Sequence, residues 1–94
     1  MIEIKATAQA GLFGSPQDLE FQLEAYSNKD FVGEAASCQH LNPANNLVRI
    51  QAGETIKVPL KMEEDFTGTF EVRAINPETM VNYHTIKLKT DYVE

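Results

Sequence analysis

The 94-residue chain carries 14 Asp and Glu against 8 Lys and Arg, a net charge of −6 that opposes attraction to phosphate backbones and anionic lipid, so neither nucleic acid nor membrane is expected as a partner. At 43% hydrophobic residues it can build a core, but a chain this short buries only about 60 to 65% of its unfolded surface, and its single cysteine, Cys38, excludes an intrachain disulfide. No apolar run approaches the roughly 18 residues of a membrane span, and no composition shift divides the chain, so residues 1–94 read as one domain held by packing alone.

The opening Met1-Ile2-Glu3-Ile4-Lys5 alternates instead of forming the apolar stretch of a signal peptide, and is expected to be mature sequence. The lack of disulfides points to the cytoplasm or to an assembly such as a virion. The same alternation puts Ile2, Ile4, Ala6 and Ala8 on one face of a first strand over 1–10, which ends at Gly11-Leu12-Phe13-Gly14-Ser15-Pro16. A second strand over 18–27 sets Leu19, Phe21, Leu23 and Ala25 against Asp18, Glu20, Gln22 and Glu24, and Ser27-Asn28-Lys29-Asp30 turns the chain. Phe31-Val32 starts a third strand over 31–36, but Glu34 to Leu41 would also tolerate a helical turn. Asn42-Pro43-Ala44-Asn45-Asn46 is a loop.

Two alternating runs, 47–52 and 55–62, flank Gly53-Glu54 and read as a hairpin. Pro59 cannot donate to a ladder, so the strand on that side must be short or missing. After the acidic turn Glu63-Glu64-Asp65, Phe70, Val72 and Ala74 mark a strand over 68–75, closed by Asn76-Pro77-Glu78-Thr79. In the last segment, 80–92, the apolar positions change parity between Tyr83 and Ile86, which requires a bulge or bend near His84. The count is about seven antiparallel strands, an all-β, two-sheet sandwich.

The run from Asp65 to Ala74, an acidic turn and a glycine leading into Phe70-x-Val72-x-Ala74, resembles the penultimate strand of immunoglobulin-like and fibronectin type III domains, and Gln51 to Leu60 resembles the segment leading into their fifth strand. Phe70 stands where those domains carry tyrosine, Val72 where an immunoglobulin domain has its second cysteine, and there is no tryptophan. The resemblance covers residues 47–92 and implies a Greek-key sandwich. Its topology would set Glu20, Gln22 and Glu24 beside Lys57 and Lys61, and Glu71 and Arg73 beside Lys87 and Lys89.

Several groups invite a functional reading. Leu12 and Phe13, two large apolar residues bracketed by glycines, suit either anchoring in a partner's pocket or plugging one end of the core. Cys38 and His40 share strand spacing with a metal or nucleophile pair, yet only His84 is left as a further soft ligand, so an ordinary loop pair is expected. Glu63-Glu64-Asp65 with Asp91 or Glu94 would offer carboxylates to calcium, without EF-hand spacing. Tyr83, Tyr92 and Phe31 would form a sugar-stacking platform if brought together.

No phosphate loop, nucleophile elbow or zinc-protease motif occurs, so no catalytic residue and no cofactor is assigned. The expectation is a non-enzymatic, acidic structural module that docks on a protein scaffold or on other copies of itself, as capsid decoration (cement) and tail-appendage proteins of virions do. A small-ligand or carbohydrate-binding accessory module is the alternative. The long first and last segments offer edges for strand addition.

Overall fold

The computed structural model describes residues 2–9 and 18–92. Those residues form eight strands and no helix: β1 (Ile2–Ala8), β2 (Asp18–Ser27), β3 (Asp30–Ala35), β4 (Leu41–Asn42), β5 (Leu47–Gln51), β6 (Thr55–Met62), β7 (Glu71–Ile75) and β8 (Ile86–Tyr92). Every ladder is antiparallel. The strand beyond the expected seven is β4, two residues long, which joins the end of the segment Glu34 to Leu41, expected to tolerate a helical turn, to Asn42, expected in a loop.

Alternation decides which residues meet in the centre. Ile4, Ala6 and Ala8 of β1, Phe21, Leu23 and Ala25 of β2, Val48 and Ile50 of β5, and Ile56, Val58 and Leu60 of β6 are all buried, and their strand neighbours turn outward. No polar or charged side chain is buried among the described residues. The interior is therefore held by apolar area at roughly 25 cal/mol per Å² removed from water.

The strand path runs β7-β2-β3-β6-β1-β8, with β5 and then β4 also attached through β2. Residues 24 to 26 of β2 pair with β7 and lie along the β3 ladder as well, so those two strands flank β2 on opposite edges. The two ends of the path, β7 and β8, face each other across an open groove lined by Val72, Ala74, Tyr83, Ile86 and Leu88.

Local chemistry explains the turns. Asn28, at φ 58°, opens the two-residue turn between β2 and β3, and a register shift at Ala25/Tyr26 makes Val32 the extra residue of a bulge. The bulge lets Val32 and Gly33 both point inward while Phe31 and Glu34 remain outside. In the loop after β4, Asn42 Oδ1 accepts from the Ala44 N–H at 3.0 Å and Asn45 Oδ1 from the Leu47 N–H at 3.1 Å. Asn46 takes the left-handed conformation at φ 62°.

Pro59 sits opposite Glu3 of β1, and its carbonyl accepts from the Ala36 N–H at 2.8 Å. A strand residue points its nitrogen and its carbonyl to the same edge, so the proline nitrogen faces the point where β3 runs out. The β3–β6 ladder covers only Gly33 to Ala35, which is the short neighbour that the proline demanded. The parity break near His84 is a bend: Asn82 makes an isolated bridge to Ile75, and β8 starts only at Ile86, not at residue 80.

Two expectations are corrected. Gly53-Glu54 is no hairpin, because β5 pairs with β2 and β4 whereas β6 pairs with β1 and β3. The Glu54 N–H donates to the Gln51 carbonyl at 2.9 Å, and Gly53, at φ 86°, carries the chain across from one ladder system to the other. Nor do Glu20, Gln22 and Glu24 lie beside Lys57 and Lys61, since β3 is inserted between β2 and β6. Lys61 faces Glu34 of β3, and Arg73 pairs with Glu71 within β7 rather than across to β8.

Candidate functional site

On the outer face of β2, Tyr26 is the centre of an aromatic cluster. The Phe31 ring meets it edge-on at 6.0 Å and 82°, and the Arg73 guanidinium lies 4.5 Å from its centroid. The Tyr26 hydroxyl donates to Glu24 Oε1 at 3.2 Å, and Arg73 Nε donates to Glu71 Oε1 at 3.1 Å. Burial first, then the Glu24 carboxylate beside it, push the Tyr26 phenol above its usual range, and Arg73 pulls the other way.

Tyr83 ties two distant parts of the chain. Its N–H donates to the Ala74 carbonyl at 2.9 Å, and its hydroxyl donates to the Glu20 carbonyl at 3.0 Å. Burial, then Glu78 and Glu20, raise the Tyr83 phenol, so it stays a donor across the physiological range. Phe70 packs edge-on against Phe66, with ring centroids 6.4 Å apart.

The proposed sugar platform does not assemble. Phe31 packs on Tyr26, whereas Tyr83 contacts Glu20, six residues earlier on the same strand and so about 20 Å away. Tyr92 is on β8, opposite Ile2 of β1.

Cys38 is half-buried against the core, and its carbonyl accepts from the Leu41 N–H at 3.1 Å. The His40 ring lies 3.4 Å from the Gln39 amide nitrogen, and the His40 carbonyl accepts from Arg49 N–H at 2.9 Å, extending the β4–β5 pairing. His84 occupies the exposed bend before β8. Glu63, Glu64 and Asp65 form an exposed turn after β6, at the same end of the strands as Asp91. Among the described residues no three of His, Cys, Asp and Glu converge as a metal-binding group. Leu12, Phe13 and Glu94 lie outside the described residues.

Two surface features were missed from the sequence. The first is the tip after β7. There the Met80 N–H donates to the Asn76 carbonyl at 2.7 Å, the Asn76 N–H to the Val81 carbonyl at 2.9 Å, and the Glu78 N–H to Asn76 Oδ1 at 2.9 Å. These bonds hold Met80 at φ 60° with 64% of its surface exposed, beside Val81 at 56%. A long apolar side chain is rarely placed in that backbone region, and less often at full exposure. The only sequence signal is the pair of apolar letters that follows the Asn76-Pro77-Glu78-Thr79 turn.

The second is a row of lysines. Lys5 of β1 lies directly opposite Lys57 of β6 on one side and Lys89 of β8 on the other, and all three are exposed. Like charges facing each other across strands are destabilising. The neighbouring row on the same face holds Glu3 opposite Asp91. Among the described residues the one ion pair within contact distance is Arg73 with Glu71.

The chain matches no family model, no curated protein and no solved structure.

Proposed function

We propose that the chain is a non-enzymatic structural module that docks on a larger protein scaffold, of the kind that decorates virions or builds their tail appendages. The observation that carries this reading is the Met80–Val81 tip: two large apolar side chains bare to water, with one held in a disfavoured backbone conformation by three hydrogen bonds around Asn76. Strain and exposed apolar surface together are costs that a folded chain has reason to keep where a partner covers them. The expected contact at Leu12 and Phe13 belongs to the same proposal as a second anchor.

We read the architecture behind that surface as a two-sheet β-sandwich. The curled path β7-β2-β3-β6-β1-β8 encloses one apolar interior, and the Gly53-Glu54 crossing between ladder systems is what a chain passing from one sheet to the other requires. Kinship with immunoglobulin-like domains would then be one of architecture, because the observed strand order places β3 between β2 and β6.

The test is to express the tagged chain in its native background and determine the mass and composition of the complex it forms. A stoichiometric complex with one scaffold protein, released by Met80→Ser with Val81→Ser at unchanged melting temperature, supports the reading. A chain recovered alone at every load, or a complex indifferent to both substitutions, overturns it.

A further inference from the structure

β8 ends the six-strand path, and no described strand pairs with its outer edge. The Gln9 N–H donates to the Thr85 carbonyl at 2.9 Å, so the backbone of Lys87, Lys89 and Asp91 faces β1. Hence the N–H and C=O groups of Leu88, Thr90 and Tyr92 point toward the open side. The groove against β7 takes in Ile86, Lys87 and Leu88 but neither Thr90 nor Tyr92. Tyr92 is on the inner face of the strand and yet 74% exposed.

We propose that two copies of this chain join edge to edge through β8, antiparallel about a two-fold axis at Thr90. The proposal rests on the reading of the chain as an assembly module and names its partner as a second copy. Charge selects the register. An axis at Leu88 would set Lys87 against Lys89 of the second copy, an axis at Lys89 would oppose two lysines at its centre while pairing Lys87 with Asp91, and an axis at Asp91 would oppose two aspartates. With the axis at Thr90, Lys89 faces Asp91 of the second copy and Asp91 faces its Lys89, both at non-hydrogen-bonded sites, where side chains approach closest.

Thr90 then exchanges both backbone hydrogen bonds with its counterpart. On the inner face the bare Tyr92 lies over the half-buried Leu88 of the second copy. The cross-strand rows become continuous: Lys57, Lys5 and Lys89 run on into the second copy's Asp91 and Glu3. Within one copy that row is a like-charge repulsion, and in the pair it meets its complement. Lysines on an edge strand discourage indiscriminate pairing. Of the axes from Leu88 to Asp91, only the one at Thr90 leaves every facing charged pair complementary, as suits a closed two-fold interface.

The experiment is sedimentation equilibrium of the full chain from micromolar to millimolar concentration, with melting of each variant measured alongside. A concentration-dependent dimer is expected. Lys89→Glu or Asp91→Lys alone should weaken it about tenfold or more. Carrying both substitutions exchanges the charges and should restore affinity to within about threefold of the unaltered chain. Each substitution also improves its cross-strand partner within one copy, placing a carboxylate opposite Lys5 or an ammonium opposite Glu3, so folding is retained.

A chain monomeric throughout, or a dimer that the single reversals leave intact, or single losses that the combined swap does not repair, overturns the β8 pairing. The two readings fail separately. A monomer that still takes up its scaffold removes only the β8 dimer, whereas a dimer that takes up no scaffold removes only the docking.

Discussion

The Tyr83 hydroxyl donates a 3.0 Å hydrogen bond to the backbone carbonyl of Glu20, across a separation of 63 residues. It fixes the bend before β8 to the start of the longest strand, and Tyr83→Phe removes that bond with little change in volume. The expected loss is about 0.5 to 1.5 kcal/mol, measured by urea unfolding with an unchanged m-value.

The same side chain gives a pH dependence. The folded pKa of Tyr83 is raised above the unfolded value of 10.0, so the folded state holds the proton more tightly. That stabilisation is fully present below pH 10 and is lost as pH rises through the higher folded pKa. Stability should fall on the alkaline side, and the fall should be shallower in Tyr83→Phe. An identical alkaline slope in both proteins would refute the assignment.

Gly33 of β3 faces Met62 of β6 with no room for a side chain. A Cβ built there meets Met62 Sδ at 2.7 Å and the Lys61 carbonyl oxygen at 3.0 Å. Gly33→Ala therefore forces the Met62 side chain, the β6 backbone, or both to shift, at about 1 to 3 kcal/mol. Gly33→Ala combined with Met62→Ala should recover part of the Gly33→Ala loss, as read from a double-mutant cycle.

Met80 holds a left-handed conformation that Asn adopts more readily. Met80→Asn should raise stability by about 0.5 to 1 kcal/mol while weakening scaffold uptake. Thermal unfolding and the uptake assay together separate strain kept for contact from strain without use.

Lys5 stands between two lysines, so replacing it with an acid turns two repulsions into attractions. Lys5→Glu should raise the melting temperature by a few degrees at low salt. The gain should shrink as added salt shortens the Debye length. A gain insensitive to salt would point to a cause other than charge.

Strand β2 was legible because Leu19, Phe21, Leu23 and Ala25 alternate with the polar Asp18, Glu20, Gln22 and Glu24 over most of its length, and one buried face is enough to impose that pattern. The consequence of Pro59 was legible for a related reason: a missing donor constrains whatever lies beside it. The Gly53-Glu54 turn was visible but its destination was not, since a tight turn states that the chain reverses, not whether the two runs then pair. β4 was illegible because two residues carry no period. The lysine row shows the wider limit. Lys5, Lys57 and Lys89 are far apart in the chain, and only the register of three strands brings them abreast. Met80 escaped because the loop's own hydrogen bonds, not its residue type, set its conformation.

β1 lies between β6 and β8, and Ile2 faces both Leu60 and Tyr92. β8 follows every other described strand in the chain, so β1 keeps one flank open until residues 86–92 have been made. The β1–β8 ladder pairs residues from opposite ends of the described sequence, which makes it the contact of highest order and the one whose closure costs the most chain entropy. Joining the two ends through a short linker and opening the chain elsewhere would turn that closure into a local turn and should speed folding without altering a single side chain.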